Sequence, residues 1–143
     1  MGYTNEKYGY SIAHPTELAE VPQVPRPDTP DTDQSFVIRP TELDGFRVTV
    51  RVNLNPTGVE LDRWAQVRPE MSPAGTVSNL RTLTVAGLPA IQETVRDFGG
   101  LVFLTYVARG GTIYTIWAFA YTEQALSAYR PAYDAMVSSF ALR

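Results

Sequence analysis

Residues 108–121 read ARGGTIYTIWAFAY. After the Gly110-Gly111 pair, the run is apolar or aromatic at nearly every position. In an extended chain Ile113, Thr115, Trp117, Phe119 and Tyr121 point one way, and Tyr114, Ile116, Ala118 and Ala120 the other. A strand apolar on both faces belongs in the middle of a sheet that is covered on both sides. Small Ala118 and Ala120 leave room for a helix to approach closely on their side. Working outward from this strand gives the fold.

Upstream, TVSNLRTLTV, AIQETVRD and LVFLTYVA are three further β-rich runs, separated by AGLP, FGG and RGGT. Links this short join antiparallel neighbours, because a parallel crossover needs a dozen or more residues. The four runs form an antiparallel meander. FRVTVRVNL alternates cleanly: Phe46, Val48, Val50, Val52 and Leu54 take a buried face, and Arg47, Thr49, Arg51 and Asn53 a wet or partly covered one. SFVIRP and YGYSIAHP read as shorter strands. VELDRWAQVR has helical spacing and closes before Pro69. In the tail, Leu126, Tyr129, Tyr133, Met136, Val137 and Phe140 form one helical stripe. Pro131 is expected to break it into two helices. The C-terminal helix is expected to cover one face of the sheet, and the Trp64 helix with the N-terminal segment the other. The predicted fold class is α+β: a three-layer α/β/α sandwich around a central twisted antiparallel sheet, formed as one domain over residues 1–143.

The chain's totals exclude several chemistries. It has no cysteine and one histidine, so thiolate catalysis, disulfides and Cys-ligated metal sites are ruled out. A net charge of -3 argues against nucleic acid as a partner. No run reaches the ~18 apolar residues of a membrane span, and MGYTNEKYGY lacks the charged start and apolar core of a signal peptide. His14, before Pro15 at a strand end, reads as a turn residue, and no G-x-S-x-G elbow accompanies it. No catalytic residue, metal or cofactor is expected.

Two features point to binding. Residues 20–34 are a Pro/Asp-rich surface loop in which Asp28, Asp31 and Asp33 either keep the loop solvated or share a hard cation; the spacing lacks the glycine and terminal glutamate of an EF-hand. Arg47 and Arg51 share a strand face roughly 13 Å apart. With Arg39, or Arg96, brought alongside, they would form a cationic patch for an anionic ligand or a carboxylate-rich partner; the alternative is cross-strand pairing with Glu42, Asp44 or Glu93. Glu93 and Asp97 read as the wet face and turn of one strand.

An opening Tyr8-Gly9-Tyr10-Ser11 with Pro15, a mid-chain Gly87, Pro89 and Ala90, and a closing Ser139-Phe140 resemble the PsbP-like superfamily, whose relatives include DcrB-like envelope proteins and the Ran-binding Mog protein. The resemblance spans nearly the whole chain. It implies an α/β/α sandwich and a non-enzymatic accessory or protein-binding role, with a protein partner in the cell envelope. It also implies an extracytoplasmic, lipoprotein-type member tethered by an anchor upstream of this chain. The alternative is a carrier of a small molecule or lipid, held in a pocket between sheet and helices.

Overall fold

The computed structural model describes residues 1–22, 31–38, 45–67, 76–97 and 100–143. Its centre is a seven-stranded antiparallel sheet built from β3 (Leu18–Pro22), β4 (Asp31–Ile38), β5 (Phe46–Leu54), β6 (Thr76–Val85), β7 (Leu88–Asp97), β8 (Gly100–Arg109) and β9 (Thr112–Ala120), in the order β3-β4-β5-β9-β8-β7-β6. The strand quoted at the outset is β9, and it lies in the middle. β6 to β9 are the expected meander, and β5 pairs with β9 along its whole length, from Phe46 opposite Ala120 to Leu54 opposite Thr112. A second sheet of three strands joins β1 (Gly2–Asn5), β2 (Tyr10–Ala13) and β10 (Ala141–Leu142), so the two ends of the chain meet on β2.

Turn chemistry fixes the meander's register. Val85 faces Leu88 across a two-residue turn in which both Ala86 (φ 54) and Gly87 (φ 75) are left-handed, as a primed hairpin turn requires. Gly100 opens β8 with φ 148, and a Cβ there would lie 2.3 Å from the Ala120 carbonyl oxygen, so only glycine brings β8 this close to β9.

Two helices complete the layers. Helix α1 (Leu61–Val67) lies on one face, against β7 and β8; helix α2 (Glu123–Ser139) lies on the other, against β5, β8 and β9 and against β2 of the small sheet. Thr122 caps α2 by accepting the Ala125 N–H. Contrary to expectation, α2 is a single helix that runs through Pro131. Ser127 and Pro131 lie on its exposed side, so the carbonyl whose hydrogen bond proline removes faces water, while buried Leu126, Tyr133, Met136 and Val137 hold the helix to the sheet.

The expected parting of side chains about β9 is observed. Tyr114, Ile116, Ala118 and Ala120 join the larger core under α2, and Ile113 joins the smaller core under α1, with Trp117 and Phe119 half-buried beside it. The N-terminal segment lies on the opposite side from the one expected. Tyr10 and Ile12 belong to the α2-side core, and Tyr10 stacks on Phe140 at 5.5 Å and meets Tyr114 edge-on at 6.0 Å. The aromatic clasp between the chain's ends therefore thickens the α2 side, and among the described residues α1 is the element that covers the other face. Leu54, assigned to the buried face of β5, ends the strand 79 % exposed.

Candidate functional site

The seven described residues of helix α1 pack on β7 and β8. Beside it a cleft of about 740 Å³ opens between the helix and the β6–β7 edge. Asp62, Ala65 and Gln66 of α1 form one wall, Val77, Leu80, Arg81 and Thr82 of β6 the other, and Ile91 and Glu93 of β7 also line it. Leu80 stands 62 % exposed at its rim. Apolar side chains with a few polar groups among them are the usual lining of a ligand site, and the volume is in the ordinary range of about 300–1,000 Å³.

Glu93 is buried, not on a wet face. It accepts a hydrogen bond from the Tyr106 hydroxyl at 3.0 Å. Its neighbour Gln92, on the other face of the same strand, is buried too. With polar side chains buried on both faces, β7 has no wet face from the middle of the strand inward.

The arginine face of β5 is the α1 face. Arg47 lies opposite Phe119 and Arg51 opposite Thr115, with buried Thr49 between them, opposite Trp117, sharing a 3.0 Å hydrogen bond with Ser35. Arg51 lies over the Trp117 ring, 4.9 Å from its centre, and Trp117 stacks on Phe119. Arg47 is exposed. Arg96 does not join them: it projects to the α2 side and pairs with Glu123 at the start of α2. Arg39, Glu42 and Asp44 lie outside the described residues.

The 20–34 loop is shorter than expected. Glu20 and Val21 belong to β3, and Asp31 and Asp33 to the backbone of β4, where the register with β5 shifts between Thr32 and Gln34. A β-bulge admits residues that do not alternate, which, with Asp31 and Asp33 following directly on a proline-rich sequence, hid the start of this strand. Asp28 lies outside the described residues, so Asp28, Asp31 and Asp33 do not share one loop conformation that the structure describes. His14 is buried against Phe36, with Nδ1 3.0 Å from the Pro15 carbonyl and Nε2 3.0 Å from Glu20 Oε1. Both ring nitrogens face acceptors, and among the described residues no hydroxyl nucleophile adjoins the ring.

On the α2 side, the polar groups form a chain with a direction. Tyr133 donates its hydroxyl hydrogen to the Ile116 carbonyl at 2.9 Å, so its oxygen accepts from Thr105. The Thr105 hydroxyl accepts from Gln92 Nε2 at 2.9 Å, which turns Gln92 Oε1 outward. Arg81 donates to that oxygen through Nε at 3.0 Å and Nη2 at 2.7 Å, and Arg130 through Nη2 at 3.4 Å. Burial pushes the Tyr133 hydroxyl well above the ordinary phenol value, opposed by the hydrogen bond from Thr105. Burial also raises that of Tyr114, with Arg109 pulling the other way. None of Gln92, Thr105, Arg81 and Arg130 was singled out from the sequence, because the chain joins four strands and a helix and has no spacing to read.

Among the described residues no helix is long and apolar enough to cross a membrane, and no three His, Asp or Glu side chains gather as a metal ion would need. No family model matches the chain, and no curated protein matches it in sequence. Solved structures do. Cyanobacterial PsbP (CyanoP) from Synechocystis sp. PCC 6803 superposes with a TM-score of 0.73 at 15 % identity, covering 100 % of this chain and 92 % of that one. LpqN, described as involved in cell envelope biogenesis of Mycobacterium tuberculosis, gives 0.67 at 14 %, covering 99 % and 89 %. PA94 from Pseudomonas aeruginosa, a protein of unknown function described as a putative regulator, gives 0.60 at 11 %, covering 89 % and 98 %. The chain thus has the PsbP-like fold that Tyr8 to Pro15, the Gly87 turn and Ser139-Phe140 suggested.

Proposed function

We propose that this chain is a non-catalytic, extracytoplasmic accessory domain that binds a protein partner in the cell envelope through the α1 face of its sheet. The observation that carries the reading is the uneven cover of the sheet among the described residues: α2 and the small sheet pack on one face, whereas the α1 face has a cleft and exposed Arg47. A shared fold is by itself a weak guide to function, but LpqN, described as acting in cell envelope biogenesis, supports the setting. Tethering by a lipid anchor upstream of the chain belongs to the same proposal. Arg47 and Arg51 would meet carboxylates of the partner, and Arg39 with Asp28, Asp31 and Asp33 would extend the contact surface. The test replaces Arg47 and Arg51 by glutamate and compares capture of envelope proteins by the two chains. The proposal expects at least one specifically captured protein to be lost; an unchanged set of captured proteins contradicts it.

A second reading is a carrier of a small apolar molecule or lipid. It is favoured by the cleft's volume of about 740 Å³ and its largely apolar lining. Native mass spectrometry of the protein purified from its own envelope separates the two: a co-purifying small molecule supports the carrier, and its absence, with partner capture intact, supports the accessory domain.

A further inference from the structure

We propose that Arg81 and Arg130, drawn onto a single amide oxygen of Gln92, form a receptor for a phosphate group. The site lies at the β6 edge, where the Arg81 side chain reaches Gln92 on the α2 side of the sheet while Arg81 also lines the α1 cleft; it does not rest on the reading above.

The two guanidinium groups come from different elements. Arg81 is exposed on β6, and Arg130 lies on the second turn of α2 with its guanidinium over the Phe103 ring, 4.4 Å from the centre. Both reach Gln92 Oε1, at 2.7 and 3.4 Å, so their Nη2 atoms are no more than about 6 Å apart. Two like charges this close repel unless an anion stands between them. The only carboxylate paired with either, among the described residues, is Asp134, which takes Arg130 Nε. Gln92 carries no charge. Among the described residues the pair therefore keeps one unbalanced positive charge.

The arrangement is also held in place from behind. Gln92 is 3 % exposed, and its amide orientation follows from the chain through Thr105 and Tyr133 to the Ile116 carbonyl. A guanidinium has five N–H donors in a fixed fork. Arg81 spends one fork edge on Gln92; Arg130 spends Nε on Asp134 and one Nη2 hydrogen on Gln92. Most of both forks remains for a ligand. A planar carboxylate is satisfied by one fork. Donors arriving from a strand edge and a helix suit a tetrahedral group with oxygens directed to both, which is the geometry of phosphate.

The test follows the arginine Nε–H signals and the Gln92 side-chain amide by NMR while inorganic phosphate is titrated at constant ionic strength. Saturable shifts at Arg81, Arg130 and Gln92 are expected in the native chain. In Arg81→Gln the affinity should weaken at least about tenfold, the loss of one charged fork. Arg63→Gln, on exposed α1, should bind as the native chain does. A parallel sedimentation with phosphatidylglycerol and phosphatidylcholine vesicles assigns the source. Arg81-dependent co-sedimentation points to a lipid headgroup, and phosphate shifts without it point to a soluble phosphate compound. Absence of saturable shifts, or shifts that Arg81→Gln leaves intact in a chain whose amide fingerprint shows it folded, would overturn the proposal.

Discussion

On one side of the seven-stranded sheet lies a helix of 17 residues, and on the other a helix of seven. The longer helix works with the joined chain ends to close its face. Tyr133 stacks on Phe103 at 5.3 Å, Tyr129 on Phe46 at 5.0 Å and Tyr10 on Phe140 at 5.5 Å. Its buried polar groups run in one directed chain from Arg81 to the Ile116 carbonyl. On the α1 side Trp64, Trp117 and Phe119 are half-buried, and among the described residues the buried indole N–H groups of both tryptophans meet no acceptor. Both faces have a buried core, but among the described residues one carries the longer helix and a connected polar chain, while the other carries the shorter helix beside a cleft. A buried, hydrogen-bonded network is costly to disturb and a loosely covered face is not, so the two should respond differently to the same kind of change.

The largest contrast is expected from truncating one aromatic on each side. Tyr133→Ala should cost about 3–5 kcal/mol, and half-buried Trp64→Ala about 1–2 kcal/mol, in urea denaturation. Equal costs would mean that both faces bear the load alike and would break the comparison. Removing only the Tyr133 hydroxyl sharpens it. Tyr133→Phe leaves the Ile116 carbonyl and Thr105 short of a partner and should cost about 1–3 kcal/mol.

That variant also carries a pH signature. The folded state holds the Tyr133 proton above the pH, near 10, at which an unfolded tyrosine releases it. Its contribution to stability is thus fully present below pH ~10 and is lost as pH rises beyond it. Tyr133→Phe should fall less steeply above that pH than the native chain. An unchanged alkaline slope would show that the buried phenol does not govern it.

Legibility in the sequence divides along the same line. β9 declared its central place because both of its faces are apolar, and short links gave the meander. These are local signals. The stripe on α2 was equally plain, but Pro131 misled, because spacing does not say that the Ser127 carbonyl would face water. The N-terminal strands were placed on the wrong face. Their side is decided by β2 pairing with β10, more than a hundred residues away, and by Tyr10 finding Phe140. Glu93 reads as the wet face of β7, yet Gln92 and Glu93 are buried side by side, which leaves no period-2 pattern to read there. Of the candidate site, the shared face of Arg47 and Arg51 was legible from their spacing. The cleft was not, because its walls come from α1, β6 and β7, whose packing against one another no local spacing states.

The most direct test of an open α1 face uses the chain's two tryptophans, both of which lie on it. N-phenyl-1-naphthylamine, a neutral apolar fluorophore, should bind the native chain saturably and be excited by energy transfer from Trp64 and Trp117. Leu80→Glu, at the exposed rim, should abolish that emission while changing stability by no more than about 0.5 kcal/mol. A native chain that gives no sensitised emission, or a Leu80→Glu chain that binds the dye as well, would contradict the account.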